Sequence, residues 1–142
     1  MQISELMTRD PATVTTDQTA QEAAKFMLQG DAGSIPVMEG ERLIGMITDR
    51  DIAVRGVAQG LGPDTPVREL MSSGLVCARA DESVDDVALK MSEAQVRRIP
   101  VIDESENLVG IVSLGDLTRE TEGEEAYVAL EGVSAEGDQH QQ

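Results

Sequence analysis

Two short stretches carry side chains able to hold a small polar ligand: Thr48-Asp49-Arg50-Asp51 and Ser113-Leu114-Gly115-Asp116. Each sets a hydroxyl three residues before a carboxylate, at the end of a β-branched run. That spacing has a structural use, because Thr-x-x-Asp or Ser-x-x-Asp at a strand-to-helix junction is a capping box. It also has a chemical one. A helix start offers free N–H groups and a positive dipole end, which suit a phosphate. A hydroxyl there can donate to a phosphate oxygen, and an acceptor-only carboxylate one turn on can take both hydroxyls of a ribose. The residues alone leave both uses open.

The elements that must position these pairs occur twice. Met7/Met71, Asp17/Asp81, Ala24/Ala88, Met27/Met91 and Pro36/Pro100 are offset by 64, and Gly45/Gly110, Thr48/Ser113 and Asp51/Asp116 by 65. The extra residue falls in the turn at 103–107, where insertions are tolerated. A repeat of this length is an architectural unit and governs the reading of everything else.

In each copy a leading turn (Ile3–Met7, Val67–Met71) precedes a short strand (Ala12–Thr15, Val76–Ala78). Capping boxes at Thr19-x-x-Glu22 and Ser83-x-x-Asp86 then open a helix. Their apolar faces are Ala20, Ala23, Ala24, Met27 and Val84, Val87, Ala88, Met91, at i, i+3, i+4 and i+7. Gly30 is the expected stop of the first. Strands follow at Ser34–Met38 and Leu43–Thr48, then at Ile99–Ile102 and Leu108–Ser113. A helix over Asp49–Gly56 and another around Asp116 close the copies. The expected class is α+β, two β-α-β-β-α repeats that each leave one apolar sheet face to bury. The expected division is repeat 1 at 1–60, a Gly/Pro linker at 61–66, repeat 2 at 67–120 and an acidic tail at 121–142. A short helix over Glu124–Glu131 and disorder over Ala135–Gln142 are expected in that tail.

Composition narrows the function classes. The 142 residues carry a net charge of −16, and Phe26 and Tyr127 are the only aromatics. From Glu120 onward there are seven acidic residues and no Lys or Arg, and the preceding 119 residues balance at −9. Such a chain repels nucleic acid and anionic membranes and lacks stacking residues for bases. One Cys (Cys77) and one His (His140, in the tail) exclude a nucleophilic triad in the body and a zinc site of ordinary ligands. Neither P-loop nor Gly-x-Gly-x-x-Gly is present. No catalytic residue and no metal are expected. The start Met-Gln-Ile-Ser-Glu lacks the pattern of a secretory leader, and a cytoplasmic protein is expected.

With these residues in view, the chain resembles a tandem pair of CBS (cystathionine β-synthase) motifs, the Bateman module. The resemblance rests on Leu6-Met7-Thr8, Ser34-Ile35-Pro36-Val37 and Gly45–Asp51 in one copy, and on Leu70-Met71-Ser72, Arg98-Ile99-Pro100-Val101 and Gly110–Asp116 in the other. It implies a pseudo-two-fold module, frequent homodimers, and clefts between the copies for adenosine compounds such as AMP, ADP, ATP or S-adenosylmethionine. No obligatory cofactor is implied, and the stand-alone members regulate rather than catalyse. Carried over by position, the ligand contacts are Thr13, Val14, Ile35, Pro36, Thr48 and Asp51 from the first copy. From the second they are Cys77, Ala78, Arg98, Ile99, Pro100, Ser113 and Asp116. In related modules an Arg at the position of Arg98 serves the nucleotide held by the other copy, whereas Ser34 at the matching position cannot. The Asp51 site is therefore expected to be the tighter one for phosphates. Arg50, Arg55 and Arg119 are further cationic candidates. The competing expectation is a dimeric scaffold without ligand, holding an unknown protein partner, in which both Asp residues are only caps.

Overall fold

The computed structural model describes residues 1–120, with side chains through Thr118. The expectations for the acidic tail lie outside the described residues. The chain divides into two compact units. One, the Thr48 unit, is Ala12–Leu75; the other, the Ser113 unit, joins Met1–Pro11 to the described residues from Val76 on.

In the Thr48 unit, β2 (Val14–Thr15), β3 (Ser34–Glu39) and β4 (Arg42–Thr48) form a sheet in that order, β2 parallel and β4 antiparallel to β3. Helix α1 (Ala20–Gly30) starts at a full capping box: Glu22 N–H donates to Thr19 Oγ1 at 3.2 Å, and Thr19 N–H donates to Glu22 Oε1 at 3.1 Å. It ends at the expected Gly30, and Asp31 caps it in the left-handed conformation (φ 49°) that short polar side chains tolerate. Ala20, Ala23 and Met27 pack on Val14, Ile35, Val37 and Ile47, while Ala24, expected on the same face, is exposed. Val67, from the short 3₁₀ turn Val67–Glu69, and Leu70, which caps that turn, complete this core and are fully buried. Ser72 exchanges two backbone hydrogen bonds with Met46, at 2.9 and 3.0 Å.

In the Ser113 unit, the order is β1-β7-β6-β5: β1 (Thr8–Arg9), β5 (Ala78–Arg79), β6 (Arg98–Ile102) and β7 (Leu108–Ser113). Helix α2 (Val84–Ala94) buries all four expected residues, Val84, Val87, Ala88 and Met91, on Ile99, Val101 and Val112. Its cap is the Ser83 half of the box, with Asp86 N–H donating to Ser83 Oγ at 3.1 Å. Helix α3 (Leu114–Glu120) follows β7 and buries Leu117.

The leading segment changes hands. Ile3, expected in a turn of the first repeat, is a core residue of the Ser113 unit, and β1 pairs antiparallel with β7 there, Thr8 opposite Ile111. Val67–Ser72, at the head of the second repeat, closes β4 of the Thr48 unit. Each sheet is thus finished by a segment that precedes the other repeat in sequence.

This exchange explains the repeated Gly and Met. A Cβ on Gly45 would lie 2.7 Å from the Ser72 carbonyl oxygen and 3.1 Å from Met71 Sδ. On Gly110 it would lie 2.8 Å from Met7 Cγ and 2.9 Å from the Thr8 carbonyl oxygen, with Met7 Sδ also in the way. Both glycines make room for the closing segment.

Candidate functional site

Antiparallel register places Ser34 directly opposite Thr48, and Pro36 opposite Met46. Because side chains alternate along a strand, these four share one sheet face, while Ile35, Val37 and Ile47 point into the α1 core on the other. Thr48 ends β4, and its hydroxyl accepts the Asp51 N–H at 3.0 Å while Asp51 Oδ2 accepts the Thr48 N–H at 3.0 Å. The capping reading of this pair therefore holds. Its worth is about 1 kcal/mol for such a cap.

Capping does not account for the third residue. Ser34, Thr48 and Asp51 are 4, 7 and 5% exposed, and they make up three of the five buried polar or charged residues among the described residues. The Ser34 hydroxyl has no hydrogen-bond partner. An unpaired buried hydroxyl costs roughly 1–3 kcal/mol, so the position calls for an acceptor. In the sequence Ser34 stands only as the residue that lacks the charge of Arg98. The signal that marks it is its strand register with Thr48, which needs the sheet pairing to be seen.

The helical stretch after Thr48 differs from its counterpart. Asp51–Gly56 is a π-helical turn, whereas α3 after Ser113 is an ordinary α-helix. Arg55, one of the cationic candidates, is already engaged. Its Nε lies 3.7 Å from Asp51 Oδ1, and its Nη1 donates to the carbonyls of Met71 at 3.3 Å and Leu70 at 3.5 Å.

The Ser113 unit repeats the cap: Asp116 N–H donates to Ser113 Oγ at 3.1 Å, and Ser113 N–H to Asp116 Oδ2 at 2.9 Å. Asp116 is buried and Ser113 half-buried. Opposite Ser113 stands Arg98 in place of a serine, with Pro100 next on that face opposite Ile111.

The remaining expected contacts fall elsewhere. The side chains of Val14, Ile35, Ala78 and Ile99 belong to the two helix-facing cores, which leaves only their backbone groups for a ligand. Thr13 is half-buried just before β2. Cys77 is half-buried just before β5, and burial pushes its thiol pKa up. Its carbonyl accepts Lys90 Nζ at 3.0 Å, and the same ammonium pairs with Glu82 at 2.9 Å. Burial works against the Glu82 charge, but the Arg79 N–H bond at 2.6 Å and Lys90 hold its pKa below the usual glutamate value. No helix among the described residues is long and apolar enough to cross a membrane.

The family model for the CBS domain matches residues 3–56 and 67–123. The chain belongs to the CBS-domain family. This CBS pair is 47% identical over 133 residues to the CBS domain-containing protein YhcV of Bacillus subtilis, covering 93% of this chain and 94% of that one. It is 38% identical over 117 residues to hypoxic response protein 1 of Mycobacterium tuberculosis, covering 81% of each. A crystal structure of Hypoxic Response Protein I, with two coordinated zinc ions, superposes at TM-score 0.77 with 37% identity, covering 84% of this chain and 98% of that one. Among the described residues of this CBS pair, no group of three or more His, Cys, Asp or Glu side chains is arranged to hold a metal. The CBS domain pair of protein MJ0100, crystallised with 5′-methylthioadenosine and S-adenosyl-L-methionine, superposes at 0.73 with 32% identity over 84% of this chain and 94% of that one. The α+β class and the tandem-motif resemblance read from the sequence both agree with these findings.

Proposed function

We propose that this CBS pair is a cytoplasmic regulatory module that binds an adenosine compound at the Thr48 unit and has no catalytic step of its own. The observation that carries the reading is the buried Ser34–Thr48–Asp51 cluster with its unpaired hydroxyl. A ribose supplies what the cluster lacks: an oxygen to accept from Ser34 Oγ, and hydroxyls to donate to the Asp51 carboxylate. Pro36, on the same face, offers an apolar wall for a base. The adenosine ligands of the MJ0100 pair add support by similarity. The Ser113 unit offers a second position through Ser113, Asp116, Arg98 and Pro100, with a cation where the first has a hydroxyl.

Signalling would pass through a homodimer or a protein partner. An apolar hollow of about 250 Å³ between α1 and the Leu61–Pro63 segment, beside exposed Val57, is the surface that favours a partner. Its occupancy is read by solution mass from light scattering.

Calorimetric titration with AMP, ADP, ATP and S-adenosylmethionine tests the ligand reading. Saturable heat with at least one of them is expected, and is lost in Asp51→Ala while the circular dichroism spectrum is kept. Absence of heat with all four would leave the reciprocal caps as the whole role of Thr48 and Asp51, and the protein a scaffold.

A further inference from the structure

We infer that Arg55 couples the Asp51 site to the segment through which the chain leaves for its second repeat. The inference rests on the adenosine reading above and concerns how occupancy of that site is reported.

The segment Val67–Ser72 is fastened in several ways, among them Val67 N–H donating to the Gln18 carbonyl at 2.7 Å, Arg68 N–H to that of Thr16 at 3.2 Å, and Arg68 pairing with Asp17 at 2.7 Å. Val67 and Leu70 are buried in the core of the Thr48 unit. Ser72 is hydrogen-bonded to Met46 in both directions. Arg55 spans a further connection, from Asp51 Oδ1 to the carbonyls of Leu70 and Met71. Those carbonyls lie at the end of the 3₁₀ turn, where the helical ladder has no further donors to offer, and a guanidinium serves them well. Of these fastenings, the one through Arg55 ends on the Asp51 carboxylate.

The geometry gives the coupling a direction. Asp51 Oδ2 is committed to the Thr48 N–H, so Oδ1 is the atom that faces Arg55 and the atom left for a ligand hydroxyl. A ribose donating to Oδ1 competes with the guanidinium. The Arg55 side chain is 55% exposed and held at 3.7 Å, while the Asp51 side chain is 7% exposed, so the arginine is the partner that moves. Its release frees two carbonyls of the departing segment. Reciprocally, a tightly fastened segment disfavours the ligand, since coupling acts equally in both directions. The second repeat has no counterpart, for the residue at the position of Arg55 is Glu120.

Amide hydrogen exchange on the full chain tests this, with AMP as the probe and its binding heat measured first. In the wild type, saturating AMP is expected to speed exchange at Leu70, Met71 and Ser72 by about threefold or more, and Arg55→Gln is expected to exchange fast there with or without AMP. The same variant should bind AMP about three- to tenfold more tightly, because the competitor is gone. Arg55→Lys, which keeps the charge without the fork, should fall between the two. Heat of binding without any change at 70–72 would overturn the coupling and leave the ligand site standing. Weaker AMP binding in Arg55→Gln would also overturn it, making Arg55 a direct ligand contact. Where AMP gives no heat, whichever of ADP, ATP and S-adenosylmethionine does becomes the probe; no heat with any of the four would remove the ligand reading itself, and the inference with it.

Discussion

The Thr48 unit and the Ser113 unit are built on one plan and differ where the plan meets polar chemistry. Both have a parallel-antiparallel sheet, a bulge at the same place in the second hairpin strand pair (between Val37 and Met38, and between Val101 and Ile102), a helix on one face and a reciprocal hydroxyl–carboxylate cap. Yet across from the hydroxyl the first unit has an unpaired buried serine and the second an arginine. One turn past the carboxylate the first has Arg55 and the second Glu120. Where the second ties Glu82 to Lys90, the first has Gln18 and Phe26. Duplication kept the parts that fold and varied the parts that could discriminate a ligand.

The largest expected effects fall on the shared plan. Gly45→Ala and Gly110→Ala should each cost about 1–3 kcal/mol by overpacking, measured by urea melting. They should part on rescue. The nearest obstacle at Gly110 is the flexible Met7 side chain, so Met7→Ala should recover part of the loss, although the Thr8 carbonyl remains. At Gly45 the nearest atom is the Ser72 carbonyl oxygen, so Met71→Ala should recover little. Equal rescue would mean the two closures are not built as differently as the distances say.

Next come the caps. Asp51→Ala and Asp116→Ala should each lose about 1 kcal/mol of stability. On the adenosine reading, Asp51→Ala should also lose about tenfold or more in AMP affinity, the worth of a hydrogen bond to a charged group. An equal loss of affinity in Asp116→Ala would erase the asymmetry between the units. Ser34→Ala sharpens the same point with an opposite sign in stability. Removing an unpaired buried hydroxyl should raise the melting temperature of the free protein while weakening AMP binding by roughly 1 kcal/mol. Loss of stability on that change would show the hydroxyl to be satisfied without ligand.

The smallest effect is on acid stability. The folded-state pKa of Glu82 is depressed, so its contribution is present above the ordinary glutamate pKa and is lost as pH falls through the folded value. Glu82→Gln should flatten the acid limb of the stability profile. It should not abolish it, because Glu22 in the other unit is also held low, chiefly by the Thr19 N–H. A profile unchanged by Glu82→Gln would place the acid response elsewhere.

Much of this molecule was legible in the chain itself. The 64–65 residue offset gave the duplication. The apolar spacing gave α1 and α2, and the hydroxyl–carboxylate pairs gave the caps at Thr19, Ser83, Thr48 and Ser113. All of these are local, set by contacts within a few residues, and local patterning encodes them directly. Even there small differences arise: Ala24 is exposed, and the first short strand holds only Val14–Thr15.

What only the tertiary structure decided is long-range. No local pattern says which sheet an amphipathic turn such as Ile3–Met7 will join, because its apolar residues satisfy either; the pairing of β1 with β7 settles it. The glycines at 45 and 110 acquired their reason only from the methionines and carbonyls that close over them. Ser34, unremarkable in sequence, became the strongest pointer to a ligand because strand register sets it beside Thr48 in a place where water does not reach. Burial and pairing are properties of the packed chain, and the polar residues that matter are those that packing leaves incomplete.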